Sequence, residues 1–472
     1  MLVYENTLIS MTPQSNFTII APIVPERMPV LKDLLNQMNV RPGTNTCLGM
    51  ADPHNDVIPF GQFAKLHTAR FVILDDQTLG DFERVGEQVP NYGPLKLAFM
   101  GDCDGCADDV LADMAQRANK GLRDVFSNCE CFDVRTDLLT WINKHRQRAA
   151  AAYVNHIGRT VCQIRHEHAL RTELVGFLKE HSAPDADPQT TRNMLIKHAR
   201  AKNFIPAAAE EPTPLAWCVR NFFHLITLPA ILAIFIFALW IALRSAAGVA
   251  YPVALIGVAW GLLAVVLAVV LIFFLALRWY ETTEPEIDVR PTDQYTEMLA
   301  RDEDHDLVNQ FSIVGSVRPT AFRRRMLIVN LWVIDWFARH IYGRGYLARI
   351  RSIHFARWVF MDDKNRVLFA STYDGSLESY NDDFINKGGF GLNFAFGGAV
   401  GYPRCRWVIL EGAKREQKFK YILRRHQLPT QVWYNAYPGL TVYDLARNTR
   451  VCEGIERPTM SNKDIRRWLT DL

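Results

Sequence analysis

Two long uncharged stretches in the middle of the chain dominate its pattern of hydrophobic and polar positions. Residues 221–243 and 245–277 carry no formally charged side chain, and Arg244 alone separates them. Each stretch exceeds the roughly 20 residues that span the hydrocarbon core of a bilayer. Gly248 and Pro252 are helix breakers that favour a turn at residues 245–252. The pattern therefore predicts a transmembrane helical hairpin over residues 220–280.

Basic residues flank this hairpin on its outer sides. The turn contains only Arg244, whereas the flanks contain Lys197, Arg200, Lys202, Arg220, Arg278 and Arg290. Because positive charge accumulates on the cytoplasmic side, the hairpin is predicted to leave both the N-terminal and the C-terminal segments in the cytoplasm. The start of the chain has neither a basic region nor a long apolar run, so no cleavable signal peptide is predicted. An even number of crossings allows the two segments to meet.

Alternation typical of β-strands appears in both segments, in sequences that resemble each other. LHTARFVILDD (66–76) and IHFARWVFMDD (353–363) share His-x-Ala-Arg-x-Val and a final Asp-Asp. Four further blocks align in the same order: 16–25 with 310–319, 96–105 with 366–375, 122–126 with 392–396, and 145–161 with 426–442. The order of the blocks predicts an internal duplication.

Each repeat has the pattern strand, helix, strand, strand, helix, strand, which is the ferredoxin-like split unit. The chain thereby resembles the dimeric α/β-barrel superfamily, and the resemblance implies an α+β fold in which two βαββαβ repeats form a pseudo-dimeric barrel. The predicted domains are repeat 1 at 1–161, a helical segment and linker at 162–219, the hairpin at 220–280, a linker at 281–309, repeat 2 at 310–450 and a C-terminal tail at 451–472.

Within that superfamily the tandem arrangement distantly resembles the dye-decolourising peroxidases. Those haem enzymes carry a distal Asp in a Gly-x-x-Asp-Gly motif, which residues 101–105 (GDCDG) satisfy. Residues 371–375 (STYDG) lack the first glycine. No local motif matches the proximal His or the distal Arg of the family. The resemblance implies haem as a cofactor and peroxidase-like chemistry.

The shared strand blocks supply the candidate site residues. Alternation places His354 and Arg357 on opposite faces of their strand, so that they cannot both be exposed to solvent. A buried arginine needs a partner, and the expected pairs are Arg357 with Asp374 and Arg70 with Asp104. Two interpretations stay open: these pairs fix the strands together, or they line a polar pocket. The aspartates are also suited to capping the helices that follow.

A single catalytic site is expected to use residues that occur in one repeat only, which favours repeat 2. The candidate catalytic residues are His354, Arg357, Tyr373 and Asp374. In these roles His354 is a base or ligand, Arg357 and Asp374 orient the substrate, and Tyr373 is a hydrogen-bond donor.

Composition narrows the functional classes further. The 53 Lys and Arg residues nearly balance the 50 Asp and Glu residues, which argues against nucleic acid as a partner. The 9 cysteines are too sparse for a disulfide scaffold and favour a reducing compartment.

Residues 107–128 are predicted to form one helix, which separates Cys103 and Cys106 from Cys129 and Cys131 by roughly 33 Å. No metal site is predicted.

Residues 322–342 combine a basic start with apolar residues around most of a helix. They are expected to form either a core helix of repeat 2 or a helix in the bilayer interface.

The expected partners of the protein are the lipid bilayer and a hydrophobic small molecule. Two hypotheses follow: a membrane-anchored oxidoreductase that acts on a hydrophobic or lipid-derived substrate with haem, and a non-catalytic, membrane-tethered lipid-binding or assembly module.

Overall fold

Two four-stranded antiparallel sheets form the centre of the mixed α/β structure. The computed structural model describes residues 11–40, 49–181, 187–204 and 215–472, except residues 302, 305, 344 and 348. The first sheet has the order β1-β3-β2-β10 and the second the order β4-β6-β7-β5. Their strands are β1 (Gln14–Pro22), β2 (Leu66–Leu74), β3 (Lys96–Asp104), β4 (Ala149–Val154), β5 (Val308–Ser316), β6 (Ile353–Met361), β7 (Arg366–Asp374) and β10 (Thr430–Asn435). The short strands β8 (Cys405–Arg406) and β9 (Leu410–Glu411) pair with each other.

Each sheet is completed by the last strand of the other half of the chain. Strand β10 pairs antiparallel with β2, placing Trp433 opposite Arg70. Strand β4 pairs antiparallel with β6, placing Ala152 opposite Arg357. The two halves therefore share their hydrogen-bonded sheets.

The sheets also face each other across an interior that contains an apolar cluster. Side chains of the first sheet meet those of the second in one buried cluster that includes Ile20, Val72, Ala98, Val314, Val359 and Leu368. At the edges, the backbone N–H of Gln147 donates to the Thr18 carbonyl over 2.7 Å, and that of Leu428 donates to the Ser312 carbonyl over 2.9 Å. The sheets are consequently in contact at both edges as well as face to face.

Helices cover the outer faces of both sheets. Those of the N-terminal half are α1 (Met28–Gln37), α2 (Asp81–Arg84), α3 (Ala107–Arg117), α4 (Asn119–Phe126) and α5 (Leu138–His145). The central helices are α6 (Val161–His181), α7 (Pro188–Ala201), α8 (Leu215–Ala246), α9 (Val253–Thr283) and α10 (Asp293–Arg301). The remaining helices are α11 (Ala321–His340), α12 (Leu377–Phe396), α13 (Glu416–His426), α14 (Val442–Glu456) and α15 (Asn462–Leu469).

The prediction of one continuous helix over residues 107–128 was wrong. The chain bends at Ala118, between α3 and α4. Just beyond the bend, α4 passes so close to the backbone at Val57 that a Cβ on Gly121 would lie 1.7 Å from the Val57 carbonyl oxygen. Glycine is required at residue 121 because any other side chain would overlap the neighbouring backbone.

Helices α8 and α9 are long and apolar enough to cross a membrane. At 1.5 Å per residue, each extends for more than about 45 Å, against about 30 Å for a hydrocarbon core. Only a few of their residues are buried, namely Trp217, Ala238, Ile241, Ala242, Ala259, Leu263, Leu277 and Glu281. Most of their apolar side chains therefore point away from the protein.

Helix α11 packs on the second sheet. Leu327, Leu331 and Ala338 belong to the hydrophobic cluster of that sheet, whereas Val329 on the opposite side is 58% exposed. The apolar residues at 322–342 thus form a core helix of the C-terminal half. Its two ends also contact α9 and α8, respectively: the Phe322 ring stacks on Tyr280 at 5.1 Å, and His340 contacts His224.

Candidate functional site

Two of the predicted site residues, the buried His354 and the partly buried Asp374, form a hydrogen-bonded pair. The Nε2–H of His354 donates to Asp374 Oδ1 over 2.6 Å. The other oxygen of Asp374 accepts a hydrogen bond of 2.8 Å from the backbone N–H of Val442, at the start of α14. Asp374 therefore holds the histidine and the beginning of α14 at the same time. The prediction that it caps the helix that follows it in sequence was wrong, because Ser376 caps α12.

The N-terminal half contains an equivalent pair. His67 Nε2 donates to Asp104 Oδ1 over 2.8 Å, and Asp104 Oδ2 accepts from the backbone N–H of Val161 over 2.9 Å, where α6 begins. The Nδ1 of His67 lies 3.0 Å from the hydroxyl of Tyr437. When Nε2 carries the ring proton, Nδ1 is the acceptor of a hydrogen bond that the Tyr437 hydroxyl donates.

Both histidines occupy irregular positions in their strands. The pairing of β2 with β3 shifts between Leu66 and Thr68, and that of β6 with β7 shifts between Ile353 and Phe355. Each shift leaves one histidine as the extra residue of a bulge, which redirects its side chain. Regular alternation is interrupted at His354, so the prediction that His354 and Arg357 face opposite sides does not hold across this bulge.

The predicted partners of the two buried arginines were wrong. Arg357 forms a salt bridge with Asp102 of the opposite sheet and donates to the Phe17 carbonyl over 2.8 Å. Thr68 donates to the second oxygen of Asp102 over 2.7 Å. These contacts differ from the expected ones because an arginine on an inner face reaches across to the facing sheet, whereas Asp374 is already held by His354.

Arg70 crosses the interior in the reverse direction, but among the described residues it forms no salt bridge with a carboxylate. Its guanidinium donates to the Thr372 hydroxyl over 2.7 Å and to the carbonyls of Ser371 and Phe311 over 3.0 and 3.1 Å. Thr372 occupies the position that Asp102 has in the other half. Burial first, and then the nearby positive charge of Arg357, lower the pKa of Arg70 to about 9.

Tyr373 lies apart from the other predicted site residues. It belongs to the hydrophobic cluster on the helix side of the second sheet, where its ring stacks on Tyr380 at 4.1 Å. Burial raises the pKa of Tyr373 well above its usual value. The tyrosine that contacts the histidine pairs is Tyr437, which sequence reasoning missed. Its difference from the aligned His156 was a signal that could have indicated it.

Several charged side chains lie near Tyr437. Asp102, Asp104, Asp374 and Arg159 all affect its pKa. Burial is the main cause that raises the pKa of Tyr437 well above its usual value, and the neighbouring carboxylates add to it. The network links the two halves, since Tyr437 of the C-terminal half contacts His67 of the N-terminal half.

The residues around His354 do not fit a haem group. Its Nε2, the nitrogen that would bind iron, is engaged by Asp374, and the side chain is 2% exposed. Among the described residues, no cluster of three or more His, Cys, Asp or Glu side chains is arranged to hold a metal ion. The polar network of the two histidines, the aspartates and Arg357 connects the two sheets by hydrogen bonds and a salt bridge.

An apolar cavity of about 290 Å³ lies on the other side of the second sheet, between α11 and α12. Pockets that bind small molecules have volumes of roughly 300–1,000 Å³. The cavity is lined by Tyr153, Val333, Ile334, Phe337, Ala338, Tyr342, Leu347, Ile350, Trp358, Phe384, Gly388, Phe390, Gly391, Leu392, Phe394, Ala395, Phe396 and Ile409.

Glycines in α12 contribute to this space. Gly388 and Gly391 line the cavity, and Gly389 lies between them in sequence. A Cβ on Gly391 would meet no atom within 4 Å. Three glycines in a helix interior weaken the helix by roughly 1 kcal/mol each relative to alanine. The sequence KGGFG (387–391) was the one signal in the sequence that could have indicated the cavity.

The rim of the cavity adjoins the two apolar helices. Phe337, Phe390 and Ile409 line the cavity and are 38%, 54% and 44% exposed. Phe394, in the wall, packs with a cluster that contains Leu277 of α9. The cavity wall is thus packed against an apolar cluster that includes α9.

Helix α8 reaches the same region from the other side. The Nε1–H of Trp336, next to Phe337 in α11, donates to the carbonyls of His224 and Leu225 over 3.0 and 3.1 Å. His224 Nδ1 and His340 Nε2 lie 2.8 Å apart. Burial lowers the pKa of His340 to about 4, which keeps that ring neutral at physiological pH.

Comparison with protein-family models, with curated proteins and with solved structures found no match for this chain.

Proposed function

We propose that this chain is a membrane-anchored protein that binds a hydrophobic or lipid-derived molecule in the cavity between α11 and α12. The observation that carries the proposal is the apolar cavity whose rim adjoins α8 and α9. A hydrophobic ligand dissolved in a bilayer would reach this rim without crossing water. Its transfer into an apolar cavity would keep its hydrocarbon surface out of water throughout.

We further propose that the two halves are ferredoxin-like units paired as a pseudo-dimeric barrel. The four aligned strand pairs have equal lengths in the two halves: β1 and β5, β2 and β6, β3 and β7, and β4 and β10. The exchange of β4 and β10 between the sheets supports the same arrangement. In this proposal the barrel is the scaffold, and the ligand lies outside it, under the helices of the C-terminal half.

Binding without turnover is the form of this function that the side chains favour. The cavity wall contains no histidine, cysteine or methionine, which are the commoner haem ligands. The buried histidines instead form hydrogen bonds with Asp104 and Asp374, in the polar network that connects the two sheets. The proposal is therefore a lipid-binding or ligand-holding module.

Filling the cavity tests this function. Gly391→Leu would place a side chain in open space within the cavity, and we expect it to weaken binding of the fluorescent probe N-phenyl-1-naphthylamine at least tenfold. The measurement compares parent and variant in nanodiscs, with empty nanodiscs subtracted. Loss of a helix-interior glycine favours the helix, so unfolding is not the expected cause of weaker binding.

Gly176→Leu is the matched control, since Gly176 lies in α6 and a Cβ there also meets no atom within 4 Å. It should leave probe binding unchanged. Equal binding by the parent and by Gly391→Leu would refute the cavity as the binding site.

The membrane orientation has its own test. In the proposed topology, residues 246–250 lie on the opposite side of the membrane from both long segments. A compartment-specific reporter fused after Leu472 and one inserted at residues 246–250 should therefore report opposite compartments. Reporters in the same compartment would contradict the proposed hairpin topology.

A further inference from the structure

Trp358 brings an unsatisfied hydrogen-bond donor to the wall of the cavity. It lies on β6, lines the cavity, and is 6% exposed. Its Nε1–H is buried and has no acceptor among the described residues. A buried donor without a partner is energetically unfavourable, and an acceptor on a ligand would relieve that penalty.

Tyr153 provides a second donor on the same wall. Its hydroxyl accepts a hydrogen bond of 3.2 Å from Asn155 Nδ2, which leaves the phenolic proton for a different acceptor. Burial raises the pKa of Tyr153, so the phenol keeps this proton. Across the strand pair, Tyr153 lies opposite Ala356 and Trp358 lies opposite Ala151, which makes the two aromatic residues diagonal neighbours on the helix side of the sheet.

The rest of the wall limits the chemical class of the ligand. It contains no Lys, Arg or His side chain that could compensate a negative charge. A buried carboxylate or phosphate would therefore be expensive to desolvate at this end. A pure hydrocarbon would leave both donors unsatisfied. A neutral oxygen acceptor avoids both penalties.

We propose that the ligand is a neutral, long-chain carbonyl compound, whose oxygen accepts hydrogen bonds from Trp358 and Tyr153 while its hydrocarbon part extends to the rim. Esters, ketones, aldehydes and quinones share this chemistry. The oxygen lies at the sheet end, and the chain passes the glycines of α12 toward Phe390 and Ile409. The inference rests on the proposed function, because it assigns the polar end of a ligand in the same cavity.

Three probes of equal chain length test the proposal: 2-tridecanone, tridecane and tridecanoate, each displacing N-phenyl-1-naphthylamine from the full chain in nanodiscs. After correction for partition into empty nanodiscs, the ketone should bind about tenfold more tightly than the alkane, as expected for one or two hydrogen bonds. Tridecanoate should bind most weakly. Trp358→Phe and Tyr153→Phe should each reduce this ketone preference about threefold to tenfold and leave alkane binding unchanged.

Trp141→Phe is the matched control, because Trp141 Nε1 is also buried without a partner but belongs to the N-terminal hydrophobic cluster. It should leave all three affinities unchanged, and the melting temperature of each variant reports folding. Equal affinities for ketone and alkane, or tightest binding of tridecanoate, would overturn the carbonyl assignment while leaving the cavity a binding site. Failure of Gly391→Leu to weaken any probe would instead reject the proposed function itself.

Discussion

Replacing Arg357 with methionine is expected to lower the free energy of unfolding by about 3–5 kcal/mol. The substitution leaves Asp102 buried between the sheets without its cationic partner, with Thr68 as its remaining side-chain donor. Methionine retains much of the length of the side chain, so the loss reflects the uncompensated carboxylate more than an empty volume. Chemical denaturation of the detergent-solubilised protein measures it.

Arg70→Met is the matched control for this prediction. Arg70 occupies the equivalent position but donates to Thr372 and to carbonyl oxygens. Its removal therefore leaves no buried charge without a partner. We expect a smaller loss, of about 1–3 kcal/mol. The double variant Arg357→Met with Asp102→Leu should recover part of the stability, because it removes both buried charges. Equal losses for the two single variants would contradict the charge argument.

The outcome at Arg357 also separates a structural from a functional role. A variant that keeps its stability but loses ligand binding would place Arg357 in a binding site. The observed contacts favour the structural role, since the guanidinium is held by Asp102 and by the Phe17 carbonyl. The cavity lies on the opposite face of the same sheet, so ligand binding there should survive the substitution in the folded fraction.

The strands could be predicted because their information is local. Alternation and the shared His-x-Ala-Arg-x-Val block indicated strands at residues 66–76 and 353–363, and the structure has strands at 66–74 and 353–361. The histidine positions could not be interpreted correctly from alternation, because a bulge changes the direction of one side chain without a distinctive sequence.

The partner of Arg357 could not be predicted for a different reason. Alternation along a strand assigns a face to a side chain but does not identify the residue across the interior. Asp374 was chosen because it lies on the neighbouring strand, whereas Asp102 approaches from the facing sheet. This partner depends on how two sheets pack, which combines segments more than two hundred residues apart.

The cavity was beyond the sequence argument for a related reason. Its wall combines α11, α12 and strands from both halves, so no single segment carries its pattern. Tyr153 comes from the N-terminal half through the exchange of β4, and it meets Trp358 only in the shared sheet. The exchange therefore has two consequences: it joins the halves, and it brings the two proposed donors to one wall.

An isolated fragment of residues 1–161 is expected to aggregate or to pair with itself. In the full chain the free edge of β2 pairs with β10, and β4 pairs with β6. The fragment loses both partners and would expose an unpaired edge on β2 together with an apolar inner face. Sedimentation and size-exclusion chromatography of the fragment, together with its denaturation curve, measure the result.

The complementary experiment cuts the chain without removing either half. A protease site inserted at residues 203–212, most of which lie outside the described residues, separates the N-terminal segment from α8 onward. After cleavage the two pieces should stay associated in detergent, because β4 and β10 remain hydrogen-bonded in the opposite sheets and the buried clusters between the sheets are unchanged. A monomeric 1–161 fragment that unfolds cooperatively and has no affinity for residues 310–472 would show that the exchanged strands are not needed, and the two halves would then be independent domains.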